Sequence, residues 1–319
     1  MPRFLLVLLH FAFLLVNSWK LTTEENEQNR QQCGVHFLGD GERNELFKNS
    51  CGRRGLKENE YPWTVRVVKD SAGACSGALI SQRHVLTAAH CMLKMNGTYN
   101  SLQCDANKTY GAISVMRSPD EVSIHFRGNL TKCGDSDCFQ TETKAGKITL
   151  HNFEFCASRN DLALIELSEN ISEVIATPIC LPNEDLQLVD GLYAAGYGVD
   201  ENGRALAQVV AQKYYGVDEP SHKIVTRTFG RAIPSDGDGG PLFRTVDNGT
   251  HTLVGINSNG ETRCPKADVG ENFEAEYVDV RAYLDWICKY SGVCPIEDSG
   301  DESPSDASNS TQEATQKRL

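Results

Sequence analysis

Twelve cysteines stand behind an apolar leader, and the pair of features limits what this 319-residue chain can become. Arg3 gives the leader a positive start, and Phe4 to Val16 is apolar but for His10. Small residues at Val16-Asn17-Ser18 suit cleavage after Ser18. A membrane-spanning helix needs about 20 apolar residues. Neither this run nor any later one reaches that length, so residues 1–18 read as a signal peptide. The mature chain is expected to be secreted and extracellular, with no membrane span. In that compartment cysteines build a disulfide framework. None of them forms a Cys-x-x-Cys pair, which argues against a zinc ribbon, and neither metal nor cofactor is expected. Six sequons, at Asn96, Asn107, Asn129, Asn170, Asn248 and Asn309, are candidate glycosylation sites.

A formal net charge of −12 argues against nucleic acid as a partner and favours extracellular proteins. Part of that charge is local. From Pro295 onward the chain carries six acids, two bases and almost no large apolar residue, the composition of a disordered tail. Residues 19–50 form a polar N-terminal extension containing Cys33. From Trp63 the pattern turns β-like: Trp63 to Val68 alternates, and Gly77 to Ile80 with His84 to Thr87 reads as a strand pair. Leu162 to Leu167 and Thr252 to Ile256 are further strands. Val280, Tyr283, Trp286 and Ile287 recur at helical spacing, which predicts one C-terminal amphipathic helix. Short strands, glycine-rich turns and one terminal helix suggest antiparallel β-barrels.

Separated motifs add a more specific reading. Leu86-Thr87-Ala88-Ala89-His90-Cys91 and Asn160-Asp161-Leu162-Ala163-Leu164 resemble the histidine and aspartate motifs of trypsin-like serine proteases. Gly237-Asp238-Gly239-Gly240-Pro241-Leu242 resembles their nucleophile motif, with Asp in the place of Ser. Tyr61-Pro62-Trp63, Pro178-Ile179-Cys180-Leu181-Pro182, Ala195-Gly196-Tyr197-Gly198 and Tyr283-Leu284-Asp285-Trp286-Ile287 follow the family's order. The resemblance runs from Cys51 to Tyr290, and the polar lead ending at a cysteine is similar to a divergent nematode branch. It implies an all-β fold: two packed six-stranded antiparallel β-barrels with a C-terminal α-helix. It also implies the cystines Cys75–Cys91 and Cys51–Cys180. The other eight cysteines allow about 105 pairings.

By resemblance, His90 matches the general base, Asp161 the acid that orients it, and Ser258 a hydroxyl donating to that acid. Asp238 is the departure. A carboxylate is a weak nucleophile toward amides, and its charge favours the imidazolium of His90, which cannot accept a proton. Asp236 stands where the family has the oxyanion-hole glycine. Gly237 replaces the acid that receives the new terminus after zymogen cleavage, and the matching Ile-Val-Gly-Gly is missing. In the specificity pocket, Ala232, Asn259 and Ala275 replace the family's residues, and Pro234 stands where a partner of Cys264 belongs.

His90 and Asp161 lie 71 positions apart, so an insertion at about 92–157 is expected beside the cleft, carrying Cys104, Cys133, Cys138 and Cys156. The domain span is then 51–290, with the acidic tail at 291–319. The resulting expectation is a secreted, catalytically inactive homologue with a binding, decoy or regulatory role. The alternative is an active serine endopeptidase with a displaced nucleophile such as Ser235. A metal site of His90, Asp161 and Asp238 ranks last, because Asp161 is expected to hold the back of the His90 ring.

Overall fold

Alternating β-branched and polar residues close the N-terminal half into a barrel. The computed structural model describes residues 20–35, 54–56, 60–69, 73–127, 141–189, 191–199, 205–229, 233, 237–246, 249–260 and 272–295. Its strands are β1 (Arg54–Gly55), β2 (Thr64–Lys69), β3 (Ala74–Ser81), β4 (His84–Thr87), β5 (Leu93–Met95), β6 (Ser114–Met116), β7 (Val122–Phe126), β8 (Thr141–Leu150) and β9 (Ala163–Leu167). The second half adds β10 (Leu192–Val199), β11 (Ala205–Gln212), β12 (Tyr214–Asp218), β13 (Lys223–Phe229), β14 (Pro241–Thr245), β15 (His251–Gly260) and β16 (Asn272–Asp279). Three helices complete it: α1 (Thr23–Gln32), α2 (Gly97–Ala106) and α3 (Leu284–Ser291).

The first barrel closes in the order β2-β3-β4-β9-β8-β7. Trp63, Val65, Val67, Leu79, Ile124 and Leu164 are fully buried in its core, each contributing about 1.5–3 kcal/mol of apolar burial. The second sheet has eight strands, in the order β1-β11-β10-β14-β15-β16-β13-β12. It curls back on itself: Arg227 N on β13 donates to Lys213 O, and Thr226 Oγ1 donates to Gln212 Oε1 of β11 at 2.7 Å. Strand β3 is buried almost throughout because it also meets the second sheet, where Ser76 Oγ accepts from Tyr197 N at 2.8 Å. This is the two-barrel architecture and terminal helix expected from the sequence. In α3, Leu284 and Ile287 pack on the first barrel, and the left-handed Gly292 (φ 76°) ends the helix.

Three features differ from the sequence reading. The span 92–157 is not one insertion, because β7 and β8 within it are barrel strands; their apolar positions Val122, Ile124, Phe126 and Ala145 face the core. The part of that span which stands outside the barrel, among the described residues, is a lobe at 93–121 holding β5, α2 and β6. Second, Cys180 is bonded to Cys33, not to Cys51, which lies outside the described residues along with Cys133, Cys138 and Cys264. Gly34 (φ +70°) anchors the lead beside this bond: its N–H donates to Pro178 O and its carbonyl accepts from His251 N.

Third, the polar lead folds onto the body. Thr22 and Glu25 form a capping box that starts α1. Asn29 Nδ2 donates to Ile80 O at 2.9 Å, Leu21 N donates to Ser291 O, and Glu25 pairs with Arg83 at 2.9 Å. The far end matches it: Cys294 is bonded to Cys288, and its N–H donates to Asn26 Oδ1. The folded unit thus passes both Cys51 and Tyr290, while residues 296–319 of the acidic tail lie outside the described residues.

The Cys33–Cys180 bond closes a separation of 147 residues. Replacing both cysteines by Ser is expected to cost about 2–4 kcal/mol in denaturant unfolding. A loss near zero would show that the α1 contacts alone hold the lead.

Candidate functional site

His90 projects from the 3-10 turn Ala89–Met92 that follows β4. Cys91, its neighbour, is bonded to Cys75 on β3, so the turn cannot swing away from the barrel. Asp161 lies just before β9, after the left-handed Asn160 (φ 55°). It binds the histidine twice: His90 N donates to Oδ1 at 2.9 Å and ring Nδ1 donates to Oδ2 at 2.8 Å. Ser258 on β15 donates its hydroxyl to the same Oδ2 at 2.7 Å. The Asp161 side chain is only 3% exposed. Burial raises the pKa of such a carboxylate, but the His90 charge and the three hydrogen bonds outweigh it and leave the pKa lowered.

Asp238 sits in the turn before β14. Its carbonyl accepts from Ser76 N, Gly240 N donates to Gly237 O, and Gly239 N donates to Asn257 O, each at 2.8 Å. Gly239 is left-handed (φ +82°), and a Cβ there would collide with Thr87 Oγ1 and the Ser76 carbonyl. The main chain therefore fixes where the side chain of residue 238 points. Its Oδ2 lies 3.3 Å from His90 Nε2. Burial works against the charged imidazole, yet Asp161, and after it Asp238, overcome this and raise the His90 pKa to about 10. Each ring nitrogen thus faces a carboxylate. A ring that carries both protons has no lone pair with which to act as a base.

The remaining expected residues fall into place or outside the description. Ser258 lines the cleft but spends its hydroxyl proton on Asp161 Oδ2. Ala232, Pro234, Ser235 and Asp236 lie outside the described residues. Ala275 on β16 pairs with Gly260 and Asn259 with Glu276, so both stand at one end of the β15–β16 ladder. His84 is buried and bonded to Ser81 Oγ at 2.8 Å. Among the sequons, Asn96, Asn107 and Asn170 are exposed, and Asn129, Asn248 and Asn309 are outside the described residues. Asn96 also caps α2 by accepting from Tyr99 N at 2.9 Å. Cys75, Cys91 and His90 are close enough to suggest metal ligation, but the two sulfurs form a cystine and offer no thiolate. Among the described residues no helix is long and apolar enough to cross a membrane.

The cleft has walls that motif reading missed. Cys104 of α2 is bonded to Cys156, fastening the added lobe to the 152–160 loop beside the site. Phe153, Phe155 and Lys108 line the cleft together with His90 and Asp238. The signal for this wall was the pair of cysteines in the extra length, but their pairing was one of many.

Comparison with known proteins points to the same family as the fold. A model described as the nematode trypsin-6-like family matches residues 4–294. The chain is similar to CLIP domain-containing serine protease B15 of Anopheles gambiae, 26% identical over 286 residues (81% of this chain, 72% of the relative). It is also similar to the proclotting enzyme of Tachypleus tridentatus, 25% identical over 284 residues (81% and 68%). Phenoloxidase-activating factor 1 of Holotrichia diomphalia is 26% identical over 291 residues (77% and 73%).

If Asp238 holds a proton on His90, the Asp238→Asn variant must release it more readily. NMR titration of the His90 ring is expected to give a lower pKa in the variant than the wild-type value near 10. An unchanged pKa would mean that the carboxylate does not reach the ring in solution.

Proposed function

We propose that this chain, which belongs to the nematode trypsin-6-like family, is an exported trypsin-like domain that binds other extracellular proteins and does not cleave them. Its fold and its relatives are those of trypsin-like serine proteases. One observation carries the rest: a carboxylate, not a hydroxyl, lies 3.3 Å from His90 Nε2. In the protease mechanism the ring must accept a proton from the attacking hydroxyl and return it to the leaving amine. Here no hydroxyl occupies that position, and the ring is already protonated. A true protease that loses its nucleophile loses about a million-fold in turnover.

Twelve cysteines, an apolar leader and exposed sequons support an extracellular role for residues 19 onward, with glycans on the exposed asparagines. The supporting frame of Asp161, Ser258 and the Gly237–Gly240 turn is complete. A site that keeps the His90–Asp161 frame but presents a carboxylate to the ring suits recognition without turnover, as a decoy, regulator or scaffold.

Two measurements follow. Purified chain incubated with a fluorophosphonate probe and a mixed peptide library is expected to show neither labelling nor cutting. Cutting that His90→Ala abolishes would contradict the reading. The single substitution Asp238→Ser is expected to restore at most weak activity, because Asp236 and the missing activation terminus remain. Turnover comparable to an active family member would show that only the hydroxyl was lacking.

A further inference from the structure

The cleft over His90 and Asp238 continues past Phe153 and Phe155 into a groove whose far side is Leu93, Met95 and Tyr110. Lys108, Phe153, Phe155 and Cys156 line both, so the two hollows, of about 490 and 380 Å³, adjoin along these side chains and together form a trough. Phe153 and Phe155 meet edge to face, 6.1 Å apart, and both stay half-buried. Half-exposed aromatic side chains on a rigid wall are the usual anchors of protein recognition.

The added lobe extends this surface. Among the described residues nine large apolar side chains are exposed. Five of them belong to the lobe: Tyr99, Leu102, Ile113, Val115 and Met116. Ile113 precedes β6 and Val115 and Met116 belong to it, exposed by 65%, 63% and 50%. Among the described residues β6 pairs only with β5, which leaves an apolar edge open to a further strand. The lobe is held in shape. Asn100, itself buried, bonds Ile113 through both its N–H and its carbonyl, and Cys104–Cys156 fastens α2 to the aromatic wall.

Charge selects the occupant. At the cleft end two carboxylates, Asp161 and Asp238, share the one imidazole of His90, so the row carries an excess of negative charge, and its outer member Asp238 is 40% exposed. Lys108 is paired with Asp105 at 3.2 Å, and the exposed Glu154 stands beside the groove. The whole chain carries a net charge of −12. Such a trough repels acidic chains and attracts basic ones.

We infer that the trough takes an extended segment of a partner protein, with a Lys or Arg at the Asp238 end and apolar residues along Phe155 and the β6 edge. The inference rests on the non-cleaving reading above. An extended peptide laid on a sheet edge gains main-chain hydrogen bonds from the edge and its preference from alternate side chains.

The test uses the whole secreted chain and fluorescein-labelled octapeptides in an anisotropy titration. One probe alternates Leu and Lys, a second Leu and Glu, a third Ser and Lys. The Leu-Lys probe is expected to bind at least about tenfold more tightly than the other two. Asp238→Asn and Phe155→Ser should each weaken it by about tenfold or more. Met95→Gln serves if Phe155→Ser does not fold. Equal binding of all probes, no binding of the Leu-Lys probe, or affinity unchanged in folded variants overturns the inference. So does a wild-type dimer that Val115→Asp dissociates while no probe binds, since the occupant is then a second copy. Mass spectrometry separates the two readings. A probe that is bound and cut contradicts the non-cleaving role alone, and an intact probe indifferent to the variants contradicts the trough alone.

Discussion

A buried carboxylate without partners costs several kcal/mol, and the site is organised around satisfying one. Asp161 accepts from the His90 main chain and ring and from Ser258. His90 belongs to the first barrel and Ser258 to the second sheet, so the same carboxylate holds the two halves in register at the cleft. Removing any one donor would leave a buried charge partly unpaired. That cost is independent of catalysis. It explains why such a frame persists whether or not a nucleophile is present.

The same frame fixes what Asp238 does. Gly239 must be left-handed and have no Cβ, because Thr87 and the Ser76 carbonyl fill the space beside it. The turn therefore presents residue 238 to His90 whatever its side chain. A hydroxyl there would accept help from a neutral ring. A carboxylate there converts the ring into the centre of a carboxylate–imidazolium–carboxylate row. At a position the main chain holds still, the carboxylate makes an ion pair where a hydroxyl would exchange a proton.

Much of this was legible in the sequence, for local reasons. His90, Asp161, Asp238 and Ser258 lie in short motifs whose spacing is set by strand and turn geometry, and the structure brings all four together. The Cys75–Cys91 bond, which the family resemblance implied, is formed. The errors were non-local. Cys33 reaches Cys180 because Gly34 bonds Pro178 and His251 and α1 docks on the barrel, contacts made with residues far along the sequence. A cue existed in the Thr22 and Glu25 capping pair ahead of Cys33. The width of the insertion was overestimated because β7 and β8, flanked by polar loops, lack long apolar runs. The aromatic wall of Phe153 and Phe155 became functional only once Cys104 was seen to meet Cys156.

The central claim is that His90 is held protonated by two carboxylates, and the pH dependence of stability tests it most directly. The folded-state pKa is raised to about 10, above the ordinary histidine value of about 6.5 in the unfolded chain. The stabilisation is therefore complete below about pH 6.5 and lost as pH rises through about 10. Unfolding free energies of wild type and His90→Gln should be compared across that window. The wild-type advantage is expected to fall steadily, by at most about 1.4 kcal/mol per pH unit. A difference that stays flat from pH 6.5 to 10 would mean that His90 gains no proton on folding, and the account of the site as an ion-paired row would be wrong.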